Sequence, residues 1–520
     1  MKKLLYLSIL CYAGMATAQN PTFQWLQTPD ITFGSNPDMA GYSVAADPEG
    51  NVYFSGFKSE PFNYNELMGN QFFNKYGANG QLIFEKEIGG KVSAQNMITD
   101  SQGNVIIALC YVQNITIDQI TITTIEQGEH FVLAKFNAQG NLLWHRLIES
   151  QQESSWISDM RGLATDSNDN IYIGYGDFMD SYIDKYTPDG TMSLSIVQEN
   201  VSTATSVSID TEGNIYVAGS CADLNAEFAG TSVPTDLQYN TYVVKYSPQG
   251  VYQWVKFVED ITCPQPAVVA RTPDEVYFSS YLFGAYDFDD ISASGPESGM
   301  FDDFFLARLN ASGVYQWVRE VEGLSKTGQG SRSFLNIDAE GNVHFTGFTG
   351  GEIDWGNGIN TDTPLMGNDV IVLKYDPAGT VLMAKTAGGE GYDNADAVSV
   401  SGSGDIFVTG TCNGPASFDG FAHDADPYGY YPFITKISNG TMGTNDPQPS
   451  GIMLYPNPAS STLYISGLEE KVKGDIINIL GQKVSEFEID RNHPLQISHL
   501  PSGTYLLKAE GVGAMKFVKD

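Results

Sequence analysis

Basic residues are scarce in this chain of 520: 27 Lys and Arg stand against 62 Asp and Glu, a formal charge of −35. Such a field repels nucleic acid and anionic membrane at long range, so neither is an expected partner. Cysteine is nearly absent, with five in all. Beyond Cys11, the cysteines at 110, 221, 263 and 412 are far apart, and no pair has the close spacing of a zinc site. They cannot form a disulfide scaffold, which leaves one or two disulfides or buried free thiols. Histidine numbers six, with no His-x-x-x-His or His-Glu-x-x-His arrangement, so metalloprotease chemistry is not expected. A Gly-x-Ser-x-Gly elbow is also missing. Ser401-Gly402-Ser403-Gly404 comes closest and occupies a hairpin-turn slot. No apolar run reaches the roughly 20 residues that a membrane span needs, so no transmembrane segment is expected.

What is abundant favours β structure: 54 Gly and 23 Pro, with 28 Tyr and 28 Phe. The start is a separate matter. Lys2 and Lys3, the short apolar run Leu4 to Tyr12, and Ala16-Thr17-Ala18 read as a signal peptide over residues 1–18, cleaved before Gln19. Cys11 is a poor lipidation site, because Leu10 stands where a small residue is needed.

Internal repetition dominates the rest. Asp-x-x-Gly-Asn-apolar-aromatic appears at Asp47 to Tyr53 and returns at Asp100 to Ile106, Asp166 to Tyr172, Asp210 to Tyr216 and Asp338 to His344. Degenerate copies run from Arg271 to Tyr277 and from Ser401 to Phe407, which makes seven. After each comes a basic residue and an aromatic or aliphatic one, with Gly following: Lys75-Tyr76 with Gly80, and likewise at Lys135, Lys185, Lys245, Arg308, Lys374 and Lys436. Four residues past the first six of those glycines stand Phe84, Trp144, Leu194, Trp254, Trp317 and Met383. Asp opens a turn, Gly or Asn accepts positive φ, and alternating flanks read as strands. Each repeat is then four short strands. One such sheet cannot bury both faces alone, so several must stack around an axis as a β-propeller.

The seventh repeat lacks its fourth strand, since Thr441–Ser450 is polar. Phe23-Gln24-Trp25-Leu26-Gln27 matches Tyr252-Gln253-Trp254-Val255-Lys256 and Tyr315-Gln316-Trp317-Val318-Arg319 position for position. The N-terminal strand is therefore expected to complete the last blade and cover a sheet edge. Over residues 23 to 440 this motif set resembles the bacterial seven-bladed β-propeller repeat family. The resemblance implies the fold and says little of activity. Asp169-Asn170 and Asp274-Glu275 depart from Gly-Asn.

The expected organisation is all-β: signal peptide 1–18, propeller 19–440, linker 441–450 and a small C-terminal β-sandwich over 451–520. The tail holds seven basic and eight acidic residues, net −1, so the acidity belongs to the propeller. Tyr455-Pro456-Asn457-Pro458, Leu480-Gly481-Gln482-Lys483-Val484, Leu500-Pro501-Ser502-Gly503-Thr504-Tyr505 and Lys516-Phe517-Val518-Lys519 make this tail resemble the type A C-terminal sorting domain of the type IX secretion system of Bacteroidota. That resemblance implies export through the outer membrane, with the secretion machinery as partner, and a secreted or cell-surface product.

No catalytic signature accompanies these features. The Asp-x-x-Gly-Asn loops lack the bidentate Glu of an EF-hand and read as hairpin turns. Asp287, Asp289, Asp290, Asp302 and Asp303, close in sequence, are the better candidates for structural calcium; no other cofactor is expected. Tight turns fall on one face of the disc and long links on the other, and Trp156 and Trp355 lie in long links outside the repeat register. They are the candidate ligand contacts, because variable loops on a rigid scaffold are where binding resides. The leading expectation is a non-catalytic binder or adhesin for a protein or glycan. Its rival is a glycan hydrolase or lyase using paired carboxylates in the axial funnel, recognisable by their separation and by a shifted pKa.

Overall fold

The computed structural model describes residues 21–29, 42–57, 69–124, 128–151, 156–259, 265–295, 303–321, 326–423 and 429–438, and then 453–455, 459, 461–466, 472–478, 483–489, 494–509 and 513–519. The expected signal peptide, the linker, Cys263 and Asp302 lie outside the described residues. All regular structure among them is β-strand. Two compact units form, Met1–Asn439 and Gly440–Asp520.

In the first unit the turn chemistry sets the pairing. Asp47 N–H donates to the Asn51 carbonyl at 2.8 Å and Gly50 N–H to the Asp47 carbonyl at 3.0 Å, while Asp47 Oδ1 accepts from Asn51 N–H at 2.8 Å. Gly50 takes φ +81°, open to glycine at little cost. This turn folds Ser43–Ala46 back on Val52–Phe57, which pairs with Gly69–Tyr76, which pairs with the start of Leu82–Thr99. That last strand is not short but runs on, its second half opening the next blade against Val105–Ile117.

The order first–second–third–fourth recurs through the unit, with first strands Asp159–Thr165, Ser206–Ile209, Ala267–Thr272, Leu335–Ile337 and Asn394–Val400 in the later blades. First strands of successive blades lie side by side, and Ser43–Ala46 meets Asn394–Val400. Side chains stitch them: Thr99 Oγ1 donates to the Ala46 carbonyl at 2.6 Å, Ala270 N–H donates to Ser208 Oγ at 2.9 Å, and Ala46 N–H donates to Ser399 Oγ at 2.9 Å. In the last sheet Thr22–Gln27 lies antiparallel to Tyr430–Ser438, with Trp25 opposite Lys436 and Leu26 opposite Thr435.

Adjacent blades are joined by the fourth-strand residue and the next blade's glycine. Trp25, Trp144, Trp254 and Trp317 donate their indole N–H to the carbonyls of Ala78, Pro188, Ala311 and Pro377 at 3.1, 3.1, 3.0 and 3.1 Å. A Cβ placed on Gly80, Gly313 or Gly379 would come within 2.8 Å of those rings, so glycine is required for contact as well as for φ. The Asp and Lys of the repeat are one device. Lys75 Nζ lies 2.8 Å from Asp47, Lys135 2.9 Å from Asp100 and Lys374 2.8 Å from Asp338. Burial alone would raise the Asp100 carboxyl, but Lys135 and Asn104 hold it below its ordinary value. Where the motif departs, a substitute serves. Asp169 takes φ +60° in the glycine slot and binds Ser101 N–H at 2.8 Å, and Arg271 pairs with Glu275 at 2.7 Å.

The second unit has two antiparallel sheets, Met453–Tyr455 with Thr462–Ser466 and Leu495–Gln496, and Val472–Asn478 between Lys483–Ile489 and Gly503–Ala509, with Gly513–Lys519 at the edge. Leu463, Ile476, Ile497 and Leu507 form a core of its own. No helix among the described residues is long and apolar enough to cross a membrane.

Candidate functional site

The tight turns between first and second strands are occupied by the Asp, Asn and Lys contacts above and offer little free chemistry. The opposite face differs. The link from second to third strand in the third blade is only the turn Asp177–Asp180, closed by Asp177 N–H donating to the Asp180 carbonyl at 2.9 Å. Buried Asp177 accepts from Asp180 N–H at 3.0 Å, Tyr182 O–H at 3.1 Å and Ser150 O–H at 2.9 Å. On this fixed turn Phe178 adopts φ +74°, an uncommon conformation for a bulky L-residue. Its ring meets Trp156 edge to face, centroids 6.0 Å apart. Trp156, Phe178 and Met179 are 64%, 61% and 60% exposed. Ile157, one residue on, is buried in the core below, which anchors the segment that presents Trp156 just before the strand Asp159–Thr165.

Of the expected contacts, Trp156 therefore stands free on the long-link face, and Trp355 does not. Trp355 lies in a hairpin extending the second strand of the sixth blade, Val343–Gly356 against Ile359–Thr363. Its indole packs on the core and donates to Thr361 Oγ1 at 2.9 Å. Phe178 and Met179 had no signature in the sequence: they occur once, in a turn.

Of the five aspartates expected to hold calcium, four are described. Asp287, Asp289 and Asp290 belong to the hairpin Ala285–Phe288 and Ile291–Ser294. Asp289 pairs with Lys256 at 2.7 Å, and Asp287 accepts from Ser292 O–H at 2.6 Å. Asp303 is buried elsewhere in the blade, its Oδ1 accepting from Phe304 and Val321 N–H at 2.7 and 3.1 Å. Among the described residues no three His, Cys, Asp or Glu side chains converge as for a metal. Cys110, Cys221 and Cys412 are free and buried, and burial pushes their thiols up.

Burial raises the Asp303 carboxyl to about 8. The folded state therefore keeps a proton that the unfolded chain loses near pH 4, and stability falls as pH rises between these values and levels off above the upper one. Asp303→Asn removes the charge and keeps an amide oxygen for both N–H groups. From pH 5 to 8 its unfolding free energy should fall by on the order of 2–4 kcal/mol less than that of wild type; urea melts at the two pH values check this.

Other raised carboxyls bear on the enzymatic reading. Asp393 is raised by burial to about 7 and Asp369 to about 6. Asp393 is spent on structure, accepting from Gly389 and Asn413 N–H at 2.7 and 3.0 Å. In the first strand of the last blade, Asp396 accepts from Ser331 O–H at 2.5 Å and Tyr42 N–H at 3.2 Å. Asp159 faces Arg161 at 3.2 Å.

Of the residues expected to carry the sorting signal, Tyr455 lies in the first strand of the tail and Lys516, Phe517 and Lys519 in the last, Gly503 and Tyr505 start the strand paired with it, and Pro456, Asn457, Pro458 and Gly481 lie outside the described residues. Tyr505 is buried, its hydroxyl donating to the Pro501 carbonyl at 2.9 Å.

Residues 453–519 match the family model of the secretion system C-terminal sorting domain. An uncharacterized WD repeat-containing protein of Acanthamoeba polyphaga mimivirus is 24% identical over 238 residues, 44% of this chain, and the chain spans 13% of that relative's length. Among solved structures, the Dos1 propeller covers 81% of this chain and 95% of its own at 9% identity and TM-score 0.40. A protein of unknown function from Dyadobacter fermentans covers 79% and 99% at 10% identity and TM-score 0.37. The fold assignment rests on the strand pairing itself, and with it the chain is an exported β-propeller protein bearing a type IX secretion sorting domain at its C-terminus.

Proposed function

We propose that this protein is a non-catalytic binding module of the cell surface or its surroundings, and that the long-link face engages its protein or glycan ligand through Trp156, Phe178 and Met179. The carrying observation is Phe178, a large apolar side chain held in solvent at positive φ by a turn whose own hydrogen bonds do not use it. Exposed apolar groups clustered on a rigid turn mark interaction sites, and strained backbone concentrates at them.

This separates function from stability. Phe178→Gly relieves the backbone and should raise stability by about 0.5–1 kcal/mol, while lowering retention on glycan arrays and in pull-downs at least tenfold, as should Trp156→Ala. Undiminished retention in both variants, with loss on changing residues of the tight-turn face, would refute the reading. The enzymatic alternative has one favourable observation, Asp159, whose carboxyl burial raises against the opposing pull of Arg161 and Arg332. It requires turnover of a polysaccharide that Asp159→Asn abolishes.

A further inference from the structure

The exposed cluster of the third blade continues into the fourth through an unbroken run of hydrogen bonds. Asp180, in the turn that carries Phe178 and Met179, accepts from Asn200 N–H at 2.8 Å. Asn200, held at φ +58°, donates through Nδ2 to the Asn225 carbonyl at 3.1 Å, and Asn225 N–H donates to Asp223 Oδ1 at 2.8 Å. The Leu224 carbonyl accepts from Thr235 N–H at 3.0 Å, and the Leu237 carbonyl accepts from Thr235 O–H at 2.9 Å and Asn240 Nδ2 at 2.6 Å. The backbone is fixed in this way while Leu224, Leu237 and Tyr239 stay exposed, as Trp156, Phe178 and Met179 are. Six large apolar side chains therefore stand in solvent on the long links of two neighbouring blades, a clustering that marks an interaction surface.

The charge of this stretch has one sign. Residues 147–244 hold fifteen Asp and Glu and two bases, Arg161 and Lys185. Both bases are already placed beside acids, Arg161 at 3.2 Å from Asp159 and Lys185 at 3.3 Å from Asp166. Glu199, Asp223, Glu227 and Asp236 belong to the fourth blade's links and their flanks, and Glu199 stands directly opposite Glu227 where Met192–Glu199 pairs with Glu227–Phe228. Like charges so placed destabilise a strand pair, and residues 186–244 supply no Lys or Arg to offset them. A cationic partner turns that repulsion into attraction. The same field repels acidic glycans. Neutral sugars are held by flat ring faces with hydrogen-bonding groups beside them, whereas Met179, Leu224 and Leu237 are flexible or branched aliphatic groups that fit other apolar side chains.

We propose that this surface docks a cationic polypeptide segment with apolar anchors, its Lys or Arg side chains meeting Glu199, Glu227 and Asp236 and its apolar side chains lying on Trp156, Phe178, Leu224 and Leu237. This partner class rests on the long-link reading above, whose ligand it narrows to polypeptide. Fluorescence anisotropy with the full chain tests it, using a labelled peptide in which Lys alternates with Leu and Trp, the same peptide with Glu in place of Lys, and an oligolysine of equal charge. The first peptide should bind at least tenfold more tightly than either control, and lose at least tenfold between about 0.05 and 0.5 M salt. Glu199→Gln with Glu227→Gln should weaken it at least fivefold, and so should Leu237→Ser with Tyr239→Ser, which gives an independent reading should the first pair not fold. Glu49→Gln with Glu340→Gln, an equal change of charge on the tight-turn face, should alter it less than twofold. No binding, equal binding of either control peptide, undiminished binding in a folded variant of the long links, or an equal loss in the tight-turn variant would overturn the proposal. Absence of peptide binding beside Trp156-dependent retention on glycans would overturn this partner class and leave the long-link reading standing; absence of both would overturn both.

Discussion

Deleting residues 19–29 is expected to cost the propeller unit its cooperative fold, and Trp25→Ala alone about 3–5 kcal/mol. Trp25 is buried and belongs at once to the last sheet and to the joint with the first blade. Its carbonyl accepts from Thr435 Oγ1 at 2.7 Å, its indole N–H reaches the Ala78 carbonyl at 3.1 Å, and its ring closes on Gly80. Phe23, two residues earlier, packs edge to face on Phe418 at 5.2 Å. These contacts bring together the two ends of a chain segment more than 400 residues long, so the pairing of this strand with Tyr430–Ser438 has no short covalent link to support it. Removing the strand uncovers the pairing edge of Tyr430–Ser438, a template for another chain. The deleted protein should therefore elute as oligomers and unfold over a broad range of urea, whereas a peptide of residues 19–29 added in trans should restore a monomer with a single sharp transition. A deletion variant that remains monomeric and as stable as wild type would show that the joint between last and first blades holds without this strand. Trp144→Ala provides the contrast: the same hydrogen bond is lost from a strand that the turn at Asn137–Asn141 ties to the third strand of its own blade, and ~1–2 kcal/mol should go.

How far the sequence disclosed this molecule depended on repetition. The turns were legible because the same Asp, Gly and Asn recur, and the match of Phe23–Gln27 to Tyr252–Lys256 pointed to the pairing that Thr22–Gln27 makes with Tyr430–Ser438. Yet the Asp and Lys of the repeat read as two separate signatures, because Asp47 and Lys75 are 28 positions apart and only the pairing of second and third strands makes them one buried ion pair. Features that occur once left no such trace. Arg161 and Arg332 come together because the first strands of different blades face one axis, a neighbourhood that linear spacing does not encode. Asp287, Asp289 and Asp303, grouped by proximity in sequence, differ in their surroundings: a hairpin directs Asp289 to Lys256, and Asp303 is buried just before a strand. Trp355, outside the repeat register, lies on a strand, and its partly buried indole packs against the core.

Removing residues 451–520 is expected to abolish export while leaving the propeller folded, an all-or-none effect on location without one on stability. The tail keeps its own core, Leu463, Ile476, Ile497 and Leu507, and the chain divides into compact units at 439/440. Truncation therefore withdraws no side chain from the propeller's core clusters. The truncated chain should accumulate in the periplasm with a thermal transition matching that of the full-length propeller unit, and fractionation with immunodetection would read both outcomes. Leu507→Asp makes the argument sharper. A charge set among buried aliphatic groups should cost several kcal/mol and unfold the small sandwich alone, so it should retain the protein as the truncation does if the secretion apparatus reads the folded sandwich. Normal export of Leu507→Asp beside retention of the truncated chain would instead assign recognition to the linear segments of the tail. Normal export of both would place the address outside residues 451–520 altogether.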